Sequence, residues 1–195
     1  MGVWSPTQRV IRPGGGCNPQ CKRGLCKALK YRILFIVLGA MIAITSLDTV
    51  IKDIGFKLPV WLIGPLTIIA FIGVTNSINI IDGFHGLASG VSLISLISFI
   101  ILSAIYHDIL ILNLSLIMFF AILGFFVWNW PKGKIFLGDG GAYFIGFMFV
   151  IISILFVNRN PQISPWFPVC VLSYPIFEVL FSIYRRIFSR GYSPL

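Results

Sequence analysis

Long apolar runs, broken by short polar loops, constrain this chain more than any other feature. Only 11% of its 195 residues are charged, whereas a soluble domain carries roughly 25%. A helix needs about 20 apolar residues to cross the hydrocarbon core of a bilayer, and several runs approach that length. The pattern predicts an all-α, polytopic integral membrane helical bundle with about six transmembrane helices, over residues 33–47, 59–81, 88–106, 109–130, 142–157 and 163–184.

The N-terminal segment has a different character. Residues 1–31 contain six basic residues, no acid, and three consecutive glycines after Pro13. They show no apolar periodicity, and a charged, glycine-containing composition of this kind favours disorder. We therefore predict a basic tail, disordered or poorly packed, in front of a transmembrane domain over residues 32–195.

The basic residues also predict an orientation. If the tail is cytoplasmic and the spans alternate, twelve of the fifteen Lys and Arg residues lie on the cytoplasmic side. Such a bias is typical of membrane proteins. It predicts a multi-pass protein of the inner (plasma) membrane, with the loops that contain Asp82 and Asp139 facing the cytoplasm. Because the basic residues flank apolar runs, they do not indicate a nucleic-acid partner.

Polar residues interrupt the apolar pattern at regular spacing in residues 76–90. Asn76, Asn79 and Asp82 are three residues apart, so at a helix end they lie roughly along one face. Gly83 and Gly86 follow, where a chain leaving a helix needs a positive φ or a close approach to a ligand. An ionisable side chain at the end of an apolar helix is costly and indicates function. The alternative is an interfacial helix cap.

A second polar loop joins the fourth and fifth apolar segments. Asp139 is surrounded there by Gly138, Gly140 and Gly141, and Lys132 and Lys134 precede it. Glycine permits a tight backbone around a bound group, and a carboxylate is the usual protein ligand of Mg²⁺. Taken alone, this loop is better explained as a glycine-rich turn with orienting lysines.

The two loops together are more specific than either one. The chain has six acidic residues, and only Asp82 and Asp139 lie in loops predicted to be cytoplasmic. Carboxylates, asparagines, glycines and lysines at one membrane face suit a nucleotide diphosphate held through Mg²⁺, because magnesium bridges substrate phosphates to few protein carboxylates.

Two motifs carry a family resemblance. Residues 76–87, with Asn76, Asn79 and Asp82 followed by Gly-Phe-His-Gly-Leu, resemble the first loop motif of the polyprenyl-phosphate N-acetylhexosamine-1-phosphate transferases. Asn129 with residues 134–141 resembles the second motif, and residues 175–194 resemble the penultimate helix and exit loop. The resemblance implies transfer of a phospho-sugar from a UDP-sugar to a polyprenyl phosphate, with Mg²⁺ as cofactor and UMP released. Members begin peptidoglycan, O-antigen and other glycans.

The resemblance also implies roles for individual residues. Asp139 would be the catalytic Mg²⁺ ligand. Asn79, Asp82 and Phe136 would line the uridine-diphosphate pocket, with Gly83 allowing close approach to it. His85 stands where members carry Asp or Asn, and a neutral imidazole can still form hydrogen bonds. The remaining two positions, Asn76 and Asn129, would support the site. The implied partners are UDP-N-acetylhexosamine, polyprenyl phosphate and the lipid bilayer, with a homodimer left open.

Two departures from the family pattern lead to a further expectation. Members carry an Asp-Asp pair before the first apolar segment, and this chain has no Asp-Asp anywhere. Members also carry a His-rich motif after the exit loop, and this sequence ends at Leu195. We expect the 195 residues alone not to turn over. The alternatives are a non-catalytic nucleotide-sugar-binding protein on the same scaffold and a small transporter, although polar clusters at one interface disfavour a transporter.

Overall fold

The computed structural model describes residues 19–52, 55, 59–83, 86–131, 133 and 135–190, and the regular elements in these ranges are all helices. The predicted all-α class is confirmed. Helices follow from the apolar composition, because a backbone within a bilayer must satisfy its own hydrogen bonds. In chain order they are α1 (Pro19–Leu47), α2 (Val60–Ile81), α3 (Leu87–Ile105), α4 (Ile109–Asn129), α5 (Gly138–Arg159), α6 (Phe167–Val171) and α7 (Ser173–Arg190).

Four of the described helices, α2 to α5, are long and apolar enough to cross a membrane. The first and sixth predicted spans differ from this pattern. In α1 only Tyr31–Leu47 is apolar, and the helix begins at Pro19, inside the segment predicted as a tail. Residues 1–18 of that predicted tail lie outside the described residues.

The sixth predicted span is broken into α6 and α7 at Leu172. Pro175 has no N–H, so it cannot donate to the carbonyl of Val171 as a continuous helix would require. Instead the hydroxyl of Ser95 on α3 donates to that carbonyl, at 3.3 Å. A proline near a helix start thus divides an apolar run that composition alone predicts to be continuous.

Helix α5 is the most buried of the four spans and lies at the centre of the bundle. It packs against α2, which also contacts α1 and α7, while α3 pairs with α4. An aromatic cluster joins α5 to α3 and α6: the ring of Phe99 lies 5.5 to 6.4 Å, centroid to centroid, from those of Phe149, Phe156 and Phe167. Aromatic pairs at these separations are favourable beyond the area that they bury.

The packing of α2 on α5 is close at one point. Gly146 on α5 faces the backbone of Thr75 on α2, and a Cβ placed on Gly146 would lie 2.7 Å from the Thr75 Cα. Small residues let membrane helices approach closely, because packing drives their association there. This contact fixes the position of α2 against α5, and these two helices carry the polar residues of both loops.

Candidate functional site

Asp139 lies in the first turn of α5 rather than in the loop before it, because α5 begins at Gly138. The sequence predicts this helix to start four residues later, at residue 142. Gly138 takes a φ of +67°, a conformation that favours glycine. A carboxylate in the first turn interacts favourably with the N-terminal end of the helix dipole. The Asp139 side chain is 55% exposed and therefore accessible to a ligand.

Asn79 contacts Asp139 across the α2–α5 packing. It lies two residues before the end of α2, and its Nδ2 donates to the Asp139 Oδ1 at 3.1 Å. The two residues are sixty positions apart in the chain. The structure therefore brings the predicted loops together at one end of the bundle, as their motifs require for a shared site.

Arg32 on α1 completes this cluster and was missed by the sequence reasoning. Its guanidinium forms an ion pair with the Asp139 Oδ2, 2.5 Å away, and lies 5.9 Å from the ring centroid of Tyr143. The sequence alone indicates for Arg32 only a role as one of the basic residues that predict the orientation in the membrane. Its partner is 107 residues away, so no local pattern could have identified the pair.

The other residues of the first loop take different positions. Asp82 caps the end of α2 and is half-buried, and Gly83 follows it on the surface. Asn76 turns away from Asp139: its Nδ2 donates to the Ile72 carbonyl of its own helix at 2.9 Å. His85 lies outside the described residues, so its predicted role stays a prediction.

Gly86 joins the first loop to the second. Its φ is +79°, and a Cβ there would lie 2.8 Å from the Cδ1 of Trp130. The positive φ predicted for this segment thus occurs at Gly86, whose close neighbour is a side chain of the protein, and Gly83 has no positive φ. Asn129, beside Trp130, is buried, and its Oδ1 accepts no hydrogen bond from the described residues.

Phe136 lies three residues before Asp139 in the chain, and its side chain is 75% exposed. An exposed aromatic ring is a suitable surface for stacking a planar base. Lys132 and Lys134, which the sequence predicts at the nucleotide diphosphate, lie outside the described residues.

The possible metal ligands at Asp139 suit magnesium. They are too few to complete the coordination of an ion without water or substrate. The candidate ligands are the Asp139 carboxylate, whose oxygens contact Asn79 and Arg32 in this structure, and the amide oxygen of Asn79. Magnesium commonly uses one or two carboxylates and completes its octahedron with water and substrate phosphates. No three His, Cys, Asp or Glu side chains group as metal ligands within the described ranges.

The opposite end of the bundle carries a buried carboxylate, Asp108, with a structural role. Asp108 caps α4 by accepting from the Ile111 N–H at 3.3 Å, and its Oδ2 accepts from Arg159 at 2.9 Å and Asn160 at 3.0 Å. Burial raises the pKa of Asp108, but the hydrogen bonds from Arg159, Asn160 and Ile111 outweigh it and hold that pKa below its usual range. This network ties α4 to the end of α5.

Comparison with known proteins identifies the family. The model of the glycosyl transferase family 4 matches residues 19–157, a range that contains Arg32, Asn79 and Asp139. The chain belongs to glycosyl transferase family 4. The match begins at residue 19, where α1 also begins, and so inside the segment predicted as a tail.

Curated relatives of this family 4 chain are phospho-sugar transferases by name. A probable undecaprenyl-phosphate N-acetylglucosaminyl 1-phosphate transferase of Bacillus subtilis is 36% identical over 172 residues, covering 83% of this chain and 48% of the relative. An undecaprenyl-phosphate alpha-N-acetylglucosaminyl 1-phosphate transferase of Thermotoga maritima is 31% identical, with coverages of 82% and 48%. A phospho-N-acetylmuramoyl-pentapeptide-transferase of Staphylococcus saprophyticus is 32% identical, with coverages of 69% and 43%.

The family 4 chain thus spans about half the length of the curated relatives that it matches. Their names support the predicted class of membrane phospho-sugar transferases. The four apolar spans agree with a membrane protein of this class.

Proposed function

We propose that this chain binds a UDP-N-acetylhexosamine through Mg²⁺ at Asp139, as part of an enzyme that transfers the sugar-1-phosphate to undecaprenyl phosphate and releases UMP. The observation that carries this proposal is the contact between Asn79 and Asp139. It joins one amide and one accessible carboxylate from two motifs at a single end of the bundle. The names of the relatives support the reaction class.

Each residue of the cluster has a part in substrate binding under this proposal. Asp139, with Asn79 beside it, would hold the magnesium ion, which would offset the negative charge of the diphosphate when bound. The exposed ring of Phe136 would stack on the uracil, and Asp82 would accept hydrogen bonds from the nucleotide. The positive end of the α5 dipole favours an anion at the same place.

The proposal is tested by nucleotide binding. We expect Mg²⁺ to tighten UDP-N-acetylglucosamine binding by about tenfold or more, equivalent to about 1.4 kcal/mol, in isothermal titration of the purified protein. Asp139→Asn is nearly isosteric and should abolish this dependence on Mg²⁺. The matched control is Asp48→Asn, because Asp48 is also an exposed aspartate in an ion pair, with Lys52. Equal Mg²⁺ dependence in the wild type and Asp139→Asn would refute metal ligation by Asp139.

The second candidate function is nucleotide-sugar binding without transfer, favoured by the absence of an Asp-Asp pair from the sequence. Measured turnover separates the two, since binding fits both. The purified protein is mixed with Mg²⁺, UDP-N-acetylglucosamine and undecaprenyl phosphate, and UMP release is followed. Steady release that Asp139→Asn abolishes supports the enzyme. Binding with no release supports the non-catalytic alternative.

The proposed location of the site is the cytoplasmic face of the inner membrane, supported by the bias in basic residues. In a background without cysteine, Ile135→Cys and Gln162→Cys place single thiols at exposed positions at opposite ends of α5. We expect an impermeant thiol reagent to label only Gln162→Cys in intact cells, and both variants after lysis. Labelling of Ile135→Cys in intact cells would reverse the orientation.

A further inference from the structure

An apolar pocket lies towards the end of the bundle opposite Asp139, between α2, α5 and the α6–α7 pair, with a volume of about 150 Å³. Each of these elements contributes apolar side chains to its walls, among them Ala70, Val150 and Ile176. A dry apolar cavity of about this size can hold a ligand as large as benzene. The pocket therefore has room for a short stretch of hydrocarbon chain.

The buried hydroxyl of Ser153 indicates that this ligand carries a hydrogen-bond acceptor. Ser153 lines the pocket and is buried, and its Oγ has no hydrogen-bond partner among the described residues. Serine in a helix commonly donates to the carbonyl four residues back, as Ser92 on α3 does at 2.7 Å. An unsatisfied hydroxyl in apolar surroundings is costly, so an acceptor on a ligand would stabilise it. Rotation about χ1 gives the hydroxyl three staggered positions from which to reach that acceptor.

A water molecule is a poor candidate for this acceptor, because a buried water typically makes about three hydrogen bonds. Among the described residues that line the pocket, the other polar side chains are Lys52 and Asn158. The Asn158 Nδ2 already donates to the Val50 carbonyl at 2.8 Å, and the Lys52 Nζ to the Asp48 carboxylate at 2.6 Å. The pocket thus suits an apolar chain with a single acceptor, such as an ester carbonyl.

The depth of Ser153 matches the ester level of a phospholipid. Ser153 lies five residues before Asn158 along α5, and so about 7.5 Å deeper in the bundle at 1.5 Å per residue. The head-group region on each side of a bilayer is about 5–7.5 Å thick, and the ester carbonyls lie where it meets the hydrocarbon. Lys52 lies near Asn158, is exposed, and has three N–H donors, of which Asp48 engages one. It can therefore contact a phosphate at the head-group level.

We infer that this pocket binds one acyl chain of a diacyl glycerophospholipid, from the membrane leaflet at the end of the bundle opposite Asp139. The ester carbonyl accepts from Ser153, the phosphate contacts Lys52, and the first methylenes lie against Ala70 and Val150. The chain fills the space between α5 and the α6–α7 pair and so stabilises their packing. A polyprenyl phosphate has no carbonyl to accept from Ser153. The inference goes beyond the proposed function and does not depend on nucleotide binding.

The test compares an ester-linked with an ether-linked lipid. Dissociation constants of dioleoyl phosphatidylglycerol and of its dialkyl ether analogue, which lacks both carbonyls, are measured for the detergent-purified protein by native mass spectrometry. The wild type should bind the ester lipid about 2- to 10-fold more tightly, the contribution of one neutral hydrogen bond. Ser153→Ala should remove this preference and leave the ether lipid unchanged. The matched control is Ser115→Ala on α4, which removes another buried hydroxyl that has no partner among the described residues and should keep the preference.

Two further variants test the phosphate and the chain. Lys52→Gln should weaken both lipids by about two- to fivefold, the range of an exposed ion pair. Arg185→Gln changes an exposed basic residue that does not line the pocket and should alter neither constant. Ala70→Phe fills the pocket and should weaken both lipids. All variants should keep Mg²⁺-dependent binding of UDP-N-acetylglucosamine, because the pocket lies at the other end of the bundle, and a melting temperature shows that each is folded.

Three results would overturn the inference: no preference of the wild type for the ester lipid, a preference that Ser153→Ala leaves intact, or displacement of the ester lipid by an equimolar amount of undecaprenyl phosphate. The last would assign the pocket to a polyprenyl chain. Lipid binding as expected, with no nucleotide binding by the wild type, would count against the proposed function alone.

Discussion

Gly146→Ala is the sharpest test of how the site is held together, because it changes the α2–α5 contact without touching a site residue. The added Cβ would lie 2.7 Å from the Thr75 Cα and 3.2 Å from the carbonyl oxygens of Val74 and Thr75. Ordinary van der Waals contacts begin near 3.4 Å. The two helices must therefore separate by about 0.7 Å to remove the overlap with the Thr75 Cα, which makes this an overpacking substitution. Backbone atoms cannot rotate out of the way as side chains can.

The magnitude follows from two opposing effects. Overpacking costs about 1–3 kcal/mol, and replacing glycine by alanine within a helix returns about 1 kcal/mol. We expect a net destabilisation of about 0–2 kcal/mol relative to the wild type, which lowers the melting temperature by up to about 8 °C for a chain of this size. Because Asn79 and Asp139 lie on the separated helices, Mg²⁺-dependent nucleotide binding should also weaken.

The assay is thermal unfolding in detergent, followed by nucleotide titration of the folded fraction. Gly73→Ala and Gly124→Ala are matched controls, since a Cβ at either position meets nothing within 4 Å, and both should be neutral or slightly stabilising. A Gly146→Ala variant as stable as these controls would show that α2 and α5 do not pack as described.

Further predictions concern the first loop and the opposite end of the bundle. Gly86→Ala should destabilise by about 1–3 kcal/mol, because it strains a φ of +79° and meets Trp130, whereas Gly83→Ala should cost less than about 0.5 kcal/mol; equal melting temperatures would contradict this. Asp108→Asn should cost about 1–3 kcal/mol by removing its ion pair with Arg159. Because the folded pKa of Asp108 is lowered, its contribution is full above its unfolded pKa, near 4, and is lost as the pH falls through the folded value. Asp108→Asn should therefore flatten the acid limb of a stability-against-pH curve, and an unchanged limb would exclude this source.

The sequence predicts the middle of the fold well, because apolar length decides it. The predicted bounds of α3 and α4 differ from the observed ones by one residue at most at each end. Errors occur where local chemistry competes with hydropathy. The glycines around Asp139 predict a loop, yet they lie in the first turn of α5. At that position the helix dipole favours the carboxylate. Pro175 lies where the last apolar run divides into α6 and α7. The proline is visible in the sequence, but the length of the apolar run favours a single span.

The sequence predicts only part of the site, and helix geometry explains why. A spacing of three residues falls short of a full helical turn by about 60°, so Asn76 and Asp82 lie on opposite flanks of Asn79. Asn79 contacts Asp139, while Asn76 bonds to its own helix. The ion pair between Arg32 and Asp139 depends on how α1 packs against α5. A single sequence carries no information about that packing.

The close contact at Gly146 is the point about which a tilt of α2 against α5 would turn. Asp139 lies seven residues before it along α5, a lever of about 10.5 Å at 1.5 Å per residue. A tilt of about 5° between α2 and α5 would move the carboxylate by about 0.9 Å, more than the roughly 0.5 Å within which a reactive geometry must be held. Membrane helices tilt to match the thickness of the surrounding bilayer. We therefore expect the distance between Asn79 and Asp139 to change in any host lipid whose acyl-chain length tilts α2 against α5 by this much.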